Sequence, residues 1–167
     1  MISVFYNTLD CNKSLKINFN GGDLSSDAGF ILLKKFFHKI GLEKLLKNKF
    51  KTHDKALFRH HTDPENLLQS IYQIFGAYFE DDCAGELKYE PVMRTILDKD
   101  SLASQPTMSR FFNRMDKATM QQLSEVTRIL RRRLYSVQMP EFLLLDLDST
   151  LLNTYGDKEG NGFNYHY

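Results

Sequence analysis

The stretch HTDPENLLQSIYQIFGAY, residues 61–78, opens with the clearest helix start in the chain. Asp63-Pro64-Glu65 offers a capping oxygen ahead of a proline in the first turn, where a missing N–H costs nothing. Leu67, Leu68, Ile71, Tyr72, Phe75, Tyr78 and Phe79 then recur at helical spacing. So wide an apolar surface marks the central helix of a bundle, and the flanking sequence supplies partners for it. Upstream, Ser25-Ser26-Asp27 gives N-cap oxygens to a helix with Phe30, Leu33, Phe36, Phe37 and Ile40 as its apolar positions and Gly41 as its stop. A short helix over Leu42–Lys49 follows, with Leu42, Leu45 and Leu46 on one side. Further upstream, Ser14–Asn20 alternates Leu15, Ile17 and Phe19 with polar neighbours and reads as a short strand ended by Gly21-Gly22.

Downstream, short helical pieces are expected at Cys83–Leu87 and Pro91–Asp98. Gln105-Pro106-Thr107 turns into a short helix carrying Met108, Phe111, Phe112 and Met115, with Arg110 and Arg114 one turn apart. A longer helix over Lys117–Ser136 turns Met120, Leu123, Val126, Leu130 and Leu134 inward and bears Arg131, Arg132 and Arg133 near its C-terminus, where positive charge suits the helix dipole. After Pro140 the texture changes. Phe142–Asp148 (FLLLDLD) is a short apolar run of the kind that forms a buried strand, with a second extended piece at Phe163–Tyr167. The fold expected is mainly α: a helical region over 1–138 with a short β element, then the opening β-hairpin of a second domain over 139–167.

The chain has 167 residues, 22 Lys+Arg against 21 Asp+Glu, and is 42% hydrophobic. With 13 Phe and 8 Tyr there is ample apolar surface to bury, which excludes a disordered chain. No run of about 18 apolar residues exists, which excludes a helical membrane span. The N-terminus has no basic stretch followed by an apolar core, and Cys11 and Cys83 lack metal-ligand spacing, so a soluble cytoplasmic protein is expected.

The near-zero net charge conceals segregation. Between Lys34 and His61, nine basic residues face two acidic ones, a local balance of +7 that begins with Lys34 and Lys35. Between Glu80 and Asp100 the balance is −4, and between Arg110 and Arg133 it is +5. Two basic blocks separated by an acidic one suit two phosphate-facing patches. Solvated helix faces are the plainer reading of the same charges.

Asp146 and Asp148 are two apart, so on a strand they share a face. Carboxylates at the end of an apolar strand must be solvated, paired or metal-bound. One of them exposed and the other capping the next turn is the structural reading, and two phosphoryl-transfer chemistries compete with it. LLLDLDSTLLNT resembles the first motif of haloacid-dehalogenase-like phosphatases, which implies Asp146 as nucleophile and Asp148 as general acid/base. That fold needs well over a hundred further residues, and 19 follow Asp148. A ribonuclease-H-like domain also sets its first metal-binding Asp on its first strand, and there two divalent ions activate the attacking oxygen and stabilise the leaving one.

The surrounding residues favour the second chemistry. Asp148-Ser149-Thr150, Tyr155–Gly160 and Phe163–Tyr167 resemble the first catalytic segment of insertion-sequence DDE transposases, nearest to the thirteen-eighty group. Leu24–Gly29 through Leu32-Leu33 is similar to that family's opening segment, and 61–81 to its central helix. Leu102–Phe111 with Asn113 is similar to its most recognisable block. Phe112 stands where the family usually has an acid, and Glu90-Pro91 where it has Asp-Pro. The resemblance implies a ribonuclease-H-like catalytic domain in which Asp148 is the first catalytic, metal-binding Asp, with Asp146 as the other candidate. It implies Mg2+ or Mn2+ for the full-length enzyme and the terminal inverted repeats of a bacterial element as the DNA partner. The second Asp and the Glu of the triad are expected far beyond residue 167. A chain of this length is therefore expected to be a truncated transposase, catalytically incompetent alone, that retains end binding or pairs with itself or with full-length transposase as an inhibitor. Arg110, Arg114, Arg131, Arg132, Arg133, Lys34 and Lys35 are the candidate DNA contacts.

Overall fold

The computed structural model describes residues 7–9, 12–17 and 27–146, apart from 55, 57 and 81. Two short strands, β1 (Asn7–Leu9) and β2 (Asn12–Ile17), pair antiparallel with a register shift between Thr8 and Leu9. β2 shares residues 14–17 with the strand expected at Ser14–Asn20, and 18–20 lie outside the described residues. The helices are α1 (Phe30–Ile40), α2 (Leu42–Lys49), α3 (Asp63–Phe75), α4 (Cys83–Glu86), α5 (Pro91–Leu97), α6 (Gln105–Phe112) and α7 (Lys117–Val137), with a 3-10 turn over Leu87–Tyr89 after α4.

α3 is the centre. Its cap is Thr62, one residue earlier than expected: Thr62 and Glu65 form a reciprocal capping box, with the Thr62 N–H donating to Glu65 Oε2 at 2.8 Å. Asp63 thereby becomes the first helical residue and its carboxylate is free for other partners. Tyr72 is fully buried, with ring centroids 5.3 Å from Phe37 and 5.9 Å from Phe30, which fastens α1 to α3 edge to face. α3 ends at Phe75 because Gly76 and the left-handed Ala77 break the ladder, and Phe75 and Phe79 stand exposed rather than inward. The Tyr78 hydroxyl turns back to donate to Asp27 at 3.0 Å.

The Gln69 carboxamide bonds both the N–H and the C=O of Ala103 at 2.9 Å, so the extended stretch before α6 is pinned to α3 as if to a strand. Ser104 stands at the N-cap position of α6, whose Met108 and Phe111 point into the core, and Phe111 packs on Phe50. Gly41, at φ 67°, joins α1 to α2. A Cβ there would stand 2.8 Å from Arg133 Nη1, which could shift only by giving up its bonds to the Ile40 and Gly41 carbonyls, and the left-handed backbone itself favours glycine.

α7 departs from the expected pattern. Thr119 and Val126 are buried, and Leu123, Ile129 and Leu130 pack partly on the core, but Met120 and Leu134 face solvent. Three of the five residues expected inward, Leu123, Val126 and Leu130, do meet the core, and Arg133 adds bonds to the carbonyls of Ile40 and Gly41. Residues 142–146, expected as a buried strand, form no strand and are exposed. Among the described residues no sheet neighbour completes their backbone hydrogen bonds, and an apolar run without a ladder partner has nothing to be buried against. The rest of that run, with the second extended piece at 163–167, lies outside the described residues. Among the described residues no helix is long and apolar enough to cross a membrane.

Candidate nucleic-acid interface

α2 buries Leu42, Leu45 and Leu46 and leaves Lys44, Lys47 and Lys49 on its outer side. α7 packs beside α2, bringing its own cations to the same surface. Glu125 marks the junction. Its carboxyl lies below the usual range because Arg128 donates two bonds to it, at 2.7 and 2.8 Å, and because the charges of Arg128, Lys49 and Arg132 all act on it. One carboxylate therefore senses the end of α2 and two successive turns of α7. Lys44, Lys47 and Lys49 on α2 and Arg131 and Arg132 on α7 are exposed, on two helices that are in contact.

The cations expected to contact DNA divide into two groups. Lys35, Arg110, Arg131 and Arg132 are exposed and have no ion pair among the described residues. The other three are engaged within the protein. Lys34 is only 9% exposed and its Nζ lies 2.5 Å from Glu43 Oε1, tying α1 to α2. Arg133 donates to the carbonyls of Ile40 (2.5 Å) and Gly41 (3.3 Å), closing the C-terminal end of α1. Arg114 does not project outward. Its Nη2 lies 3.0 Å from Asp63 Oδ1, its Nε 3.2 Å from Thr52 Oγ1 and 3.4 Å from Asp54 Oδ2, and its Nη1 donates to the Arg110 carbonyl at 3.0 Å.

This Thr52–Asp63–Arg114 cluster joins the α2–α3 connection, the start of α3 and the end of α6. Burial pushes the Asp63 carboxyl up, but side-chain and backbone donation from Thr52 at 2.7 and 2.9 Å, together with Arg114, hold it below the ordinary value. The neighbouring strap is fixed the same way: the Lys51 N–H donates to Gln122, His53 Nδ1 lies 3.0 Å from Asp116, and Asp54 pairs with Arg59. Sequence reading missed the cluster because it assigned the Asp63 carboxylate to capping. The Thr62-x-x-Glu65 spacing was the signal that another residue does that.

Asp146 ends the described residues and is exposed. Asp148 lies outside them. Among the described residues no group of three or more His, Cys, Asp or Glu side chains converges to hold a metal ion.

A mainly helical module with a basic face on two adjoining helices, followed by an apolar run ending in acids, defines the class of protein that comparison then specifies. Residues 7–167 match the family described as transposase DDE domain group 1. The chain belongs to this family of DDE transposases. Searches of curated proteins and of solved structures returned no match.

Proposed function

We propose that this chain is the DNA-binding region and first catalytic segment of a cytoplasmic insertion-sequence transposase of the thirteen-eighty group, and that it grips the terminal inverted repeats of its element through the α2–α7 face. The observation that carries the proposal is the packing of α2 beside α7, each bearing exposed cations (Lys44, Lys47 and Lys49 on one, Arg131 and Arg132 on the other), within a chain that matches a transposase family over 7–167. Such a face meets phosphates rather than base edges. It supplies affinity and register, and base reading falls to a separate element, for which exposed Arg110 on α6 is the candidate. Lys35 and Arg131 extend the phosphate-facing surface.

Asp148, with Asp146 beside it, supplies the first carboxylate toward a divalent cation, Mg2+ or Mn2+. A bound cation would polarise the scissile phosphate and lower the pKa of the attacking oxygen. The resemblance sets the second Asp and the Glu of the triad in polypeptide beyond residue 167. The family match includes the Asp146–Thr150 stretch and so favours the transposase reading over the phosphatase one.

Fluorescence anisotropy with the element's inverted repeat and a scrambled duplex of the same length tests the reading. Tighter binding to the repeat supports end recognition. Equal binding to both removes it and leaves only a general affinity for DNA.

A further inference from the structure

We propose, on the basis that Arg110 reads bases, that Gln69 is a positioning residue for sequence recognition: its carboxamide sets the angle at which α6 presents Arg110. α6 has two sides. Met108 and Phe111 are buried in the core, and Pro106, Arg110 and Asn113, spaced i, i+4 and i+7, form an exposed stripe on the other.

An isolated helix of eight residues is marginal in water, so α6 takes both its existence and its orientation from what it packs on. Met108 and Phe111 lie one turn apart and give two points of attachment. Two apolar contacts leave the helix able to rock about the line between them, because apolar burial is non-directional. A third fixed point off that line removes the freedom, and Ala103 supplies it. Ala103 stands immediately before Ser104 and is itself fully buried. Gln69, 3% exposed, donates to its carbonyl and accepts from its N–H, both at 2.9 Å.

Position 69 is buried on the central helix α3, where an aliphatic side chain would fill similar space. Such a side chain would hold α6 without fixing its direction. A carboxamide that gives one bond and takes one tolerates a narrow range of angles. Leu102, one residue earlier, is tied by its N–H to the Lys88 carbonyl at 3.0 Å. The hold on Ala103 is made by a side chain and is therefore the one that substitution releases. Being buried, Gln69 reaches no DNA and acts through α6.

The test compares affinity for the inverted-repeat duplex with affinity for a scrambled one. Anisotropy is measured on the intact chain at a temperature where circular dichroism shows each variant folded. Gln69→Met keeps the bulk and removes both bonds. It is expected to lower the ratio of the two affinities about tenfold, the discrimination one good base contact supplies, with affinity for the scrambled duplex within about twofold. Gln69→Glu keeps the acceptor for the Ala103 N–H and loses the donor. An intermediate ratio is expected for it, and it serves equally where Gln69→Met does not fold. Arg110→Ala is expected to lower the ratio in the unsubstituted chain and to add nothing in the Gln69→Met background. Phe37→Leu, which thins the packing of α1 around Tyr72 and so lowers stability with Gln69 intact, is expected to leave the ratio as it was. An unchanged ratio in the Gln69 variants overturns the proposal, as do an equal fall in Phe37→Leu and additive losses from Gln69→Met and Arg110→Ala. Absence of any preference in the unsubstituted chain removes end recognition and this inference with it, whereas a preference that survives loss of the Gln69 bonds removes this inference alone.

Discussion

Replacing Arg114 with Ala separates an internal ion pair from a DNA contact, because the two roles predict opposite results. The Arg114 side chain is 18% exposed and that of Asp63 is 8% exposed, so the pair is partly desolvated. Removing one member of a fully buried pair costs about 3–5 kcal/mol, chiefly by stranding the other charge. Asp63 keeps both of its Thr52 bonds, so the penalty here falls to about 2–3 kcal/mol. For a domain of this size that lowers Tm by roughly 10 °C. Arg114→Lys retains charge but cannot reach Asp63, Thr52 and the Arg110 carbonyl together, and is expected to fall between the two. Thermal unfolding by circular dichroism measures the loss, and anisotropy at a temperature where the variant is folded measures DNA affinity. The expected result is a large fall in Tm with affinity within about twofold, less than 0.5 kcal/mol. An unchanged Tm accompanied by a tenfold loss of affinity would refute the reasoning.

Gly41→Ala is expected to cost about 1–2 kcal/mol for the left-handed backbone alone, and more because Arg133 Nη1 must move away, which urea unfolding will show. Asp63 and Glu65 both lie below their ordinary values of 3.8 and 4.5 despite burial, Asp63 through Thr52 and Arg114 and Glu65 through Lys99 and Thr62. A carboxyl whose folded pKa is depressed stabilises the protein above its unfolded value and loses that contribution as pH falls through the folded one. Stability is therefore expected to drop on acidification through about pH 4.5 and below, and Asp63→Asn with Glu65→Gln to flatten that drop while lowering stability at pH 7. Gln69→Leu removes both bonds to Ala103 and strands two buried backbone groups. It is expected to cost about 2–4 kcal/mol and to raise hydrogen exchange at 102–104 ahead of α6.

The helices were legible because their signals are local. Gly41, Pro64, Pro91 and Pro106 punctuate the chain, and the apolar spacing of α1, α2, α3 and α6 points the way the structure turns them except at Phe36, Phe75 and Phe112, which stand exposed. On α7 the stripe read from sequence holds at Leu123, Val126 and Leu130 and fails at Met120 and Leu134, because the seat of the helix is also set by Arg133 and Gln122, polar residues whose partners lie far away in sequence. The same limit applies to the cations. Lys34, Arg114 and Arg133 look like Lys35, Arg110 and Arg132 in a charge count, and only the fold reveals that Glu43, Asp63 and the end of α1 have claimed them. At Phe142–Leu145 the apolar run specifies burial, but a strand takes its burial and its hydrogen bonds from neighbours that no short window contains.

The central claim, that the α2–α7 face holds the DNA backbone, is tested most directly by the salt dependence of binding to the inverted-repeat duplex. Each phosphate contact contributes about 0.9 to the slope of log affinity against log salt. Lys49→Ala with Arg128→Ala and Arg132→Ala is expected to make that slope shallower by about 2 to 3, leaving the preference for the repeat over scrambled sequence in place. A slope identical to that of the unsubstituted chain would contradict the account.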